Sequence, residues 1–77
     1  MKSLVVLGPG CARCQKLAQN TEEAAKALGI EYELVKITDV NAIVGFGVMM
    51  TPALMIDDEI RVSGRVPPVE EIKKMLS

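Results

Sequence analysis

The two cysteines of the chain, Cys11 and Cys14, lie three positions apart and follow directly after Gly8-Pro9-Gly10. A short apolar run ends at this point and a helical pattern begins. A thiol in the first turn of a helix faces unpaired backbone N–H groups and the positive end of the helix dipole, and both favour the thiolate. The thiolate is the nucleophile of disulfide exchange and also a ligand for soft metals. The pair therefore predicts one of these two chemistries.

The composition excludes several kinds of site and partner. The chain has 77 residues, a formal net charge of -1 and no histidine. Without imidazole there is neither a Cys–His nucleophile pair nor a Cys/His zinc site within one chain. The balanced charge offers no basic surface for nucleic acid or for an anionic membrane, and no segment resembles a signal peptide or a membrane span. We therefore expect one monomeric, cytoplasmic domain over residues 1–77. In the cytoplasm, a single cysteine pair is catalytic or metal-binding more often than structural.

The elements that must position the cysteines are predicted in the order β-α-β-α-β-β-α. Strands are expected at residues 2–7, 31–37, 53–56 and 60–62, and helices at residues 11–28, at about 40–46 and after Pro67-Pro68. The first strand, helix and strand form a right-handed βαβ unit with parallel strands. The last two strands flank the turn Asp57-Asp58-Glu59 as an antiparallel hairpin. The prediction is an α/β fold with a four-stranded mixed sheet flanked by helices.

The helical pattern gives the two cysteines different surroundings. Cys14 begins an apolar stripe with the spacing of one buried helix face, whose further members are Leu17, Ala18, Thr21, Ala24, Ala25 and Leu28. Cys11 lies at the exposed tip of the same first turn. This asymmetry suggests one attacking thiol and one shielded thiol.

The whole chain resembles the small thioredoxin/glutaredoxin-like redox-active disulfide proteins of archaea and bacteria. The likeness rests on Cys11-Ala12-Arg13-Cys14 after the first strand, Thr51-Pro52 before the third strand, and Gly64 after the fourth. The resemblance implies that Cys11 attacks a substrate disulfide and that Cys14 resolves the mixed disulfide. It also implies that the Thr51–Pro52 bond is cis and that the Thr51 backbone pairs with a bound substrate chain.

The function implied by the resemblance is that of a thiol–disulfide oxidoreductase, which reduces protein disulfides and cycles between the dithiol and a Cys11–Cys14 disulfide. It needs no cofactor and no metal, and another protein, such as a flavoprotein reductase, returns it to the dithiol. The alternative is a copper or zinc carrier that binds metal through the two thiolates. Copper carriers place methionine two residues before the first cysteine, where this chain has Pro9.

Five neighbouring residues carry further hypotheses. Arg13 either stabilises the nucleophilic thiolate and steers acidic partners or is simply a solvated arginine. Met49 and Met50 form either an adaptable apolar docking surface or ordinary core. Gly64 permits either a close backbone approach near the site or a simple turn. Lys36 either assists proton transfer near the second cysteine or is an ordinary surface lysine.

Overall fold

The computed structural model describes residues 1–10 and 12–77 and has the predicted order of elements. Cys11, the predicted nucleophile, lies outside the described residues. The strands are β1 (Lys2–Leu7), β2 (Tyr32–Ile37), β3 (Ala53–Ile56) and β4 (Glu59–Ser63), and the helices are α1 (Ala12–Leu28), α2 (Val40–Gly45) and α3 (Val69–Leu76). None of these described helices combines the length and apolar character needed to cross a membrane.

The bounds of several elements differ from the prediction by one residue at an end. Glu59 belongs to β4 and not to the hairpin turn, because the turn needs only Asp57 and Asp58. These two residues have φ of 50° and 68°, the left-handed conformation that a two-residue hairpin loop requires. Helix α2 ends at Gly45, and Asp39 caps its first turn by accepting a hydrogen bond from the Asn41 N–H at 3.1 Å.

The four strands form one mixed sheet in the order β2-β1-β3-β4. Strand β1 pairs in parallel with β2 and antiparallel with β3, and β3 pairs antiparallel with β4. Because β1 and β3 run in opposite directions, the end of β1 at Leu7 lies beside the start of β3 at Ala53. The first turn of α1 therefore begins close to the residues that lead into β3.

The sheet separates two clusters of buried side chains. Successive β1 residues point to opposite faces, so Leu4 and Val6 join one cluster while Leu7 joins the other. The larger cluster lies against α1 and α3, and the smaller one lies against α2. Members of the larger cluster include Leu17, Ala24, Leu54, Ile56, Val62, Ile72 and Leu76; the smaller one is formed by Leu7, Ile43, Val48, Ala53 and Met55.

Helix α1 buries the predicted stripe and also one polar residue outside it. Leu28 at the end of the stripe is only half-buried, whereas Asn20 is 7% exposed. The Asn20 side-chain amide donates a hydrogen bond of 3.1 Å to the carbonyl of Pro67, just before α3. A buried amide needs such a partner, and this bond joins the middle of α1 to the start of α3.

Candidate active site

Cys14 lies in the first turn of α1 and is buried, with 5% of its surface exposed. The backbone of Gly8 packs directly on it. A Cβ built on Gly8 would lie 2.2 Å from the Sγ and 3.1 Å from the Cβ of Cys14, and 3.8 Å from the Cα of Pro52. Gly8 therefore allows the end of β1, the start of α1 and the entry to β3 to meet.

The importance of Gly8 is not evident from the sequence, where Gly8-Pro9-Gly10 indicates only the end of a strand. The available signal is that a glycine follows the strand directly and that a cysteine lies six residues further on. Only the three-dimensional packing shows that this glycine is the one in contact with the thiol.

Pro52 forms the opposite side of this contact. Its side chain is fully buried, and the Thr51–Pro52 peptide bond is cis, the isomer that the resemblance implies. The Pro52 carbonyl accepts a hydrogen bond of 2.9 Å from the Gly64 N–H, which holds the segment after β4 against the entry to β3. Thr51 is half-buried at the edge of the same region.

Gly64 is constrained both by its backbone conformation and by its neighbours. Its φ is 81°, a value that favours glycine. A Cβ built on it would lie 3.0 Å from the Cε and 3.1 Å from the Cβ of Met50. Its carbonyl accepts a hydrogen bond of 3.1 Å from Nη2 of Arg13. Gly64 thus makes both a turn and a close approach, and it brings Arg13, Met50 and Pro52 into one neighbourhood.

The two methionines before Thr51 are exposed. Met49 is 94% exposed and Met50 is 62% exposed, so the core-filling alternative is wrong for both. The Met50 carbonyl accepts a hydrogen bond from the Ser63 hydroxyl at 3.2 Å, while its side chain packs on Gly64. Met50 therefore offers flexible, polarizable apolar surface beside Thr51-Pro52.

Lys36 shares a small cavity with Cys14. It is exposed and, with Thr38, lines a small cavity of about 40 Å³ that Cys14 also lines; the remaining wall is formed by Val6, Gly8, Gly10 and Gln15. Such a cavity is large enough for ordered water. A role for Lys36 in proton transfer to Cys14 stays a prediction, now with a common cavity as its geometric basis.

The described part of the site holds a shielded thiol and a flanking surface that a partner chain can reach. Cys14 is covered by Gly8 on one side, while Thr51, Met50 and Arg13 remain accessible around it. Within residues 1–10 and 12–77, no three cysteine, aspartate or glutamate side chains cluster so as to hold a metal ion. The arrangement is suited to thiol chemistry on a docked chain.

Comparison with known proteins agrees with this geometry. A family profile for the thioredoxin domain matches residues 1–77. The chain is 44% identical to a thioredoxin of Methanothermobacter thermautotrophicus over 77 residues, the full length of both proteins. It is also 44% identical to a thioredoxin of Methanocaldococcus jannaschii over 71 residues, which are 92% of this chain and 81% of that protein. The chain therefore belongs to the thioredoxin family of thiol–disulfide oxidoreductases.

Proposed function

We propose that this protein reduces disulfide bonds in other proteins, with Cys11 as the nucleophile and Cys14 as the resolving thiol. The observation that carries the proposal is the burial of Cys14 in the first turn of α1, beneath Gly8 and beside Pro52. A thiol so covered is poorly placed to attack a large substrate. It is well placed to attack the sulfur of Cys11, three positions earlier in the chain, once that sulfur is joined to the substrate.

The reaction proceeds in two exchanges. The Cys11 thiolate attacks one sulfur of the substrate disulfide, forms a mixed disulfide and releases the other substrate sulfur as a thiolate. The Cys14 sulfur, deprotonated, then attacks the Cys11 sulfur, forms the Cys11–Cys14 disulfide and releases the second substrate thiolate. The substrate gains two electrons and the protein loses two. One substrate thiolate takes up the proton that Cys14 releases, and the other takes up a proton from solvent, to which the Cys11 thiol gave its own proton when it ionised.

The surroundings contribute binding and orientation to this reaction. The Thr51 backbone pairs with the substrate chain, and Met50 and Gly64 contact its side chains. No cofactor or metal takes part in the exchange. A second protein with its own redox centre, such as a flavoprotein reductase, returns the disulfide to the dithiol, and the cytoplasm is the compartment that suits a reductant of this kind.

The test is to trap the mixed disulfide. With dithiothreitol as the electron source, the wild type should reduce a protein disulfide such as that of insulin. The variant Cys14→Ser should lose turnover but stay joined to the substrate, because the second exchange is removed. The matched variant Cys11→Ser should lose turnover without forming any adduct. Mass spectrometry of the non-reduced proteins measures both results.

Two outcomes would overturn the proposal. Adducts on Cys11→Ser but not on Cys14→Ser would reverse the two roles. Absence of exchange in the wild type, together with stoichiometric copper or zinc after purification under reducing conditions, would favour the metal carrier instead.

A further inference from the structure

Arg13, between the two cysteines, is held toward the entry of β3. Its side chain is exposed, and its Nη2 donates to the Gly64 carbonyl at 3.1 Å. The N–H of the same glycine donates to the Pro52 carbonyl at 2.9 Å. Gly64 therefore links the Arg13 guanidinium to Pro52 through two hydrogen bonds. The guanidinium lies at the edge of the site where Thr51 is half-buried.

The charge of Arg13 is not neutralised within the described structure. The ion pairs found among residues 1–10 and 12–77 join Lys2 to Asp57, Arg65 to Glu71, and Lys73 to Glu70. A backbone carbonyl accepts one N–H of Arg13 but carries no charge, and the remaining N–H groups of the planar fork can serve another acceptor. In a chain of net charge -1, this cation stands next to the site.

An apolar side chain flanks the same glycine. Met50, 62% exposed, packs where a Gly64 Cβ would lie, while Arg13 bonds the Gly64 carbonyl. A segment passing along this edge would meet a cation and an apolar surface together. Guanidinium groups suit carboxylates in particular, because their fork matches the two oxygens of a carboxylate.

We propose that Arg13 is a specificity-determining residue that selects protein disulfides whose reactive cysteine is flanked by aspartate or glutamate. The inference rests on the proposed function and adds to it the chemical class of the substrate. The Gly64 carbonyl fixes the orientation of the fork, so that little further ordering is needed when the substrate carboxylate binds. Selection of this kind acts on the encounter and the orientation of the partner, and added salt weakens it.

The experiment uses two cyclic peptides, each closed by one disulfide and identical except for glutamate or lysine beside the attacked cysteine. The reduced full-length protein is mixed with each peptide, and the second-order rate constant of reduction is measured at low ionic strength. We expect the glutamate peptide to be reduced about fivefold faster than the lysine peptide, the upper end of what an exposed charge pair provides. The preference should shrink at about 1 M salt, where the Debye length is about 3 Å.

Three variants locate the source of the preference. Arg13→Gln removes the charge but keeps an N–H for the Gly64 carbonyl, and should reduce both peptides at nearly equal rates. Arg13→Lys keeps the charge and should keep most of the preference. Lys26→Gln makes the same change in net charge in the last turn of α1, far from the site, and should leave the preference unchanged. Because each result is a ratio between two peptides, a general loss of reactivity cancels.

The outcomes separate this inference from the function on which it rests. Equal rates for both peptides with the wild type, or a preference that survives in Arg13→Gln, would overturn the role of Arg13 while leaving disulfide reduction intact. Reduction of neither peptide, with no activity toward insulin, would overturn the proposed function and this inference with it.

Discussion

Gly8 shows how the absence of a side chain can fix the position of a thiol. Its backbone occupies the space above Cys14, and no substituent fits there without displacing the cysteine. Unlike Gly64, Gly8 does not have a left-handed φ. The requirement for glycine at this position is therefore steric and comes from the packing between β1 and α1.

Gly8→Ala should move Cys14 and reduce the rate of disulfide reduction. Crowding in a packed site of this kind costs about 1–3 kcal/mol of the free energy of unfolding, which urea titration of the reduced protein would measure. Gly45→Ala is the matched control, because no atom lies within 4 Å of a Cβ built there and its φ is ordinary. It should be neutral or slightly stabilising. Equal stability and activity of Gly8→Ala and the wild type would contradict the packing argument.

At the scale of elements, two further tertiary contacts, each made by hydrogen bonds away from the site, join helices and strands. One is the bond from Asn20 to the Pro67 carbonyl between α1 and α3. The other joins β1 to the β3–β4 turn: the Asp57 N–H donates to the Ser3 carbonyl at 2.9 Å, and the Asp57 carboxylate accepts from the Ser3 N–H at 3.0 Å. Both contacts use polar groups that a hydrophobic pattern does not reveal.

Asn20→Ala should lower the free energy of unfolding by about 1–3 kcal/mol, because the buried Pro67 carbonyl loses its partner. Gln19→Ala removes an exposed amide from the neighbouring position and should change stability little. Urea titration of both variants measures the difference. If Asn20→Ala were as stable as Gln19→Ala, the bond would contribute nothing to the docking of α3.

The turn contact predicts a pH dependence of stability. The pKa of Asp57 is lowered, chiefly by the Ser3 N–H and next by Lys2, whose ammonium lies 3.2 Å away. A lowered folded-state pKa gives stability that is present above the ordinary aspartate value of 3.8 and lost as the pH falls through the folded pKa. Asp57→Asn should therefore be less stable than the wild type at neutral pH and should approach it in acid.

The control for this prediction is Asp58→Asn, which removes a carboxylate from the same turn. No hydrogen bond to the Asp58 side chain is found among the described residues. Urea midpoints of the three proteins are measured from neutral to acidic pH. The difference between Asp57→Asn and the wild type should shrink as the pH falls. Parallel curves for the wild type and Asp57→Asn would contradict the assignment.

At the scale of the whole molecule, the sheet divides the core unequally. The cluster against α1 and α3 is the larger, while α2 contributes a single buried residue, Ile43, to the smaller. Val40 and Val44 of α2 are 60% and 66% exposed. Local stability follows buried apolar contact, so the α2 layer is the part of the described fold that should open most easily.

Hydrogen exchange should show this difference directly. The amides of Ile43 and Phe46, whose hydrogen bonds close the first and last turns of α2, should exchange through local opening, faster than amides in the middle of α1. Ile43→Ala should accelerate exchange in α2 more than in α1. Ile72→Ala, in the larger cluster, should instead lower protection across α1 and α3, with a loss of about 2–5 kcal/mol in unfolding free energy. Equal protection of α1 and α2 in the wild type would contradict this account.

The sequence was sufficient for the element order, the mixed sheet and the burial of Cys14, because each depends on a local pattern. Strand β1 and helix α1 have clear periodicity, and Gly29 ends α1 near the predicted position. The contact of Gly8 with Cys14, the burial of Asn20 and the exposure of Met49 were not predictable in this way. Each depends on which element packs opposite the residue, and that is decided by the assembled fold rather than by neighbours along the chain.

Because β1 lies between β2 and β3, the sheet cannot be complete until β3 has been synthesised. When the first βαβ unit has left the ribosome, β1 has β2 along one edge and no partner along the other, and Pro52 has not yet emerged. The nascent chain thus contains both cysteines before Pro52, which packs beside Gly8 in the finished fold, is available.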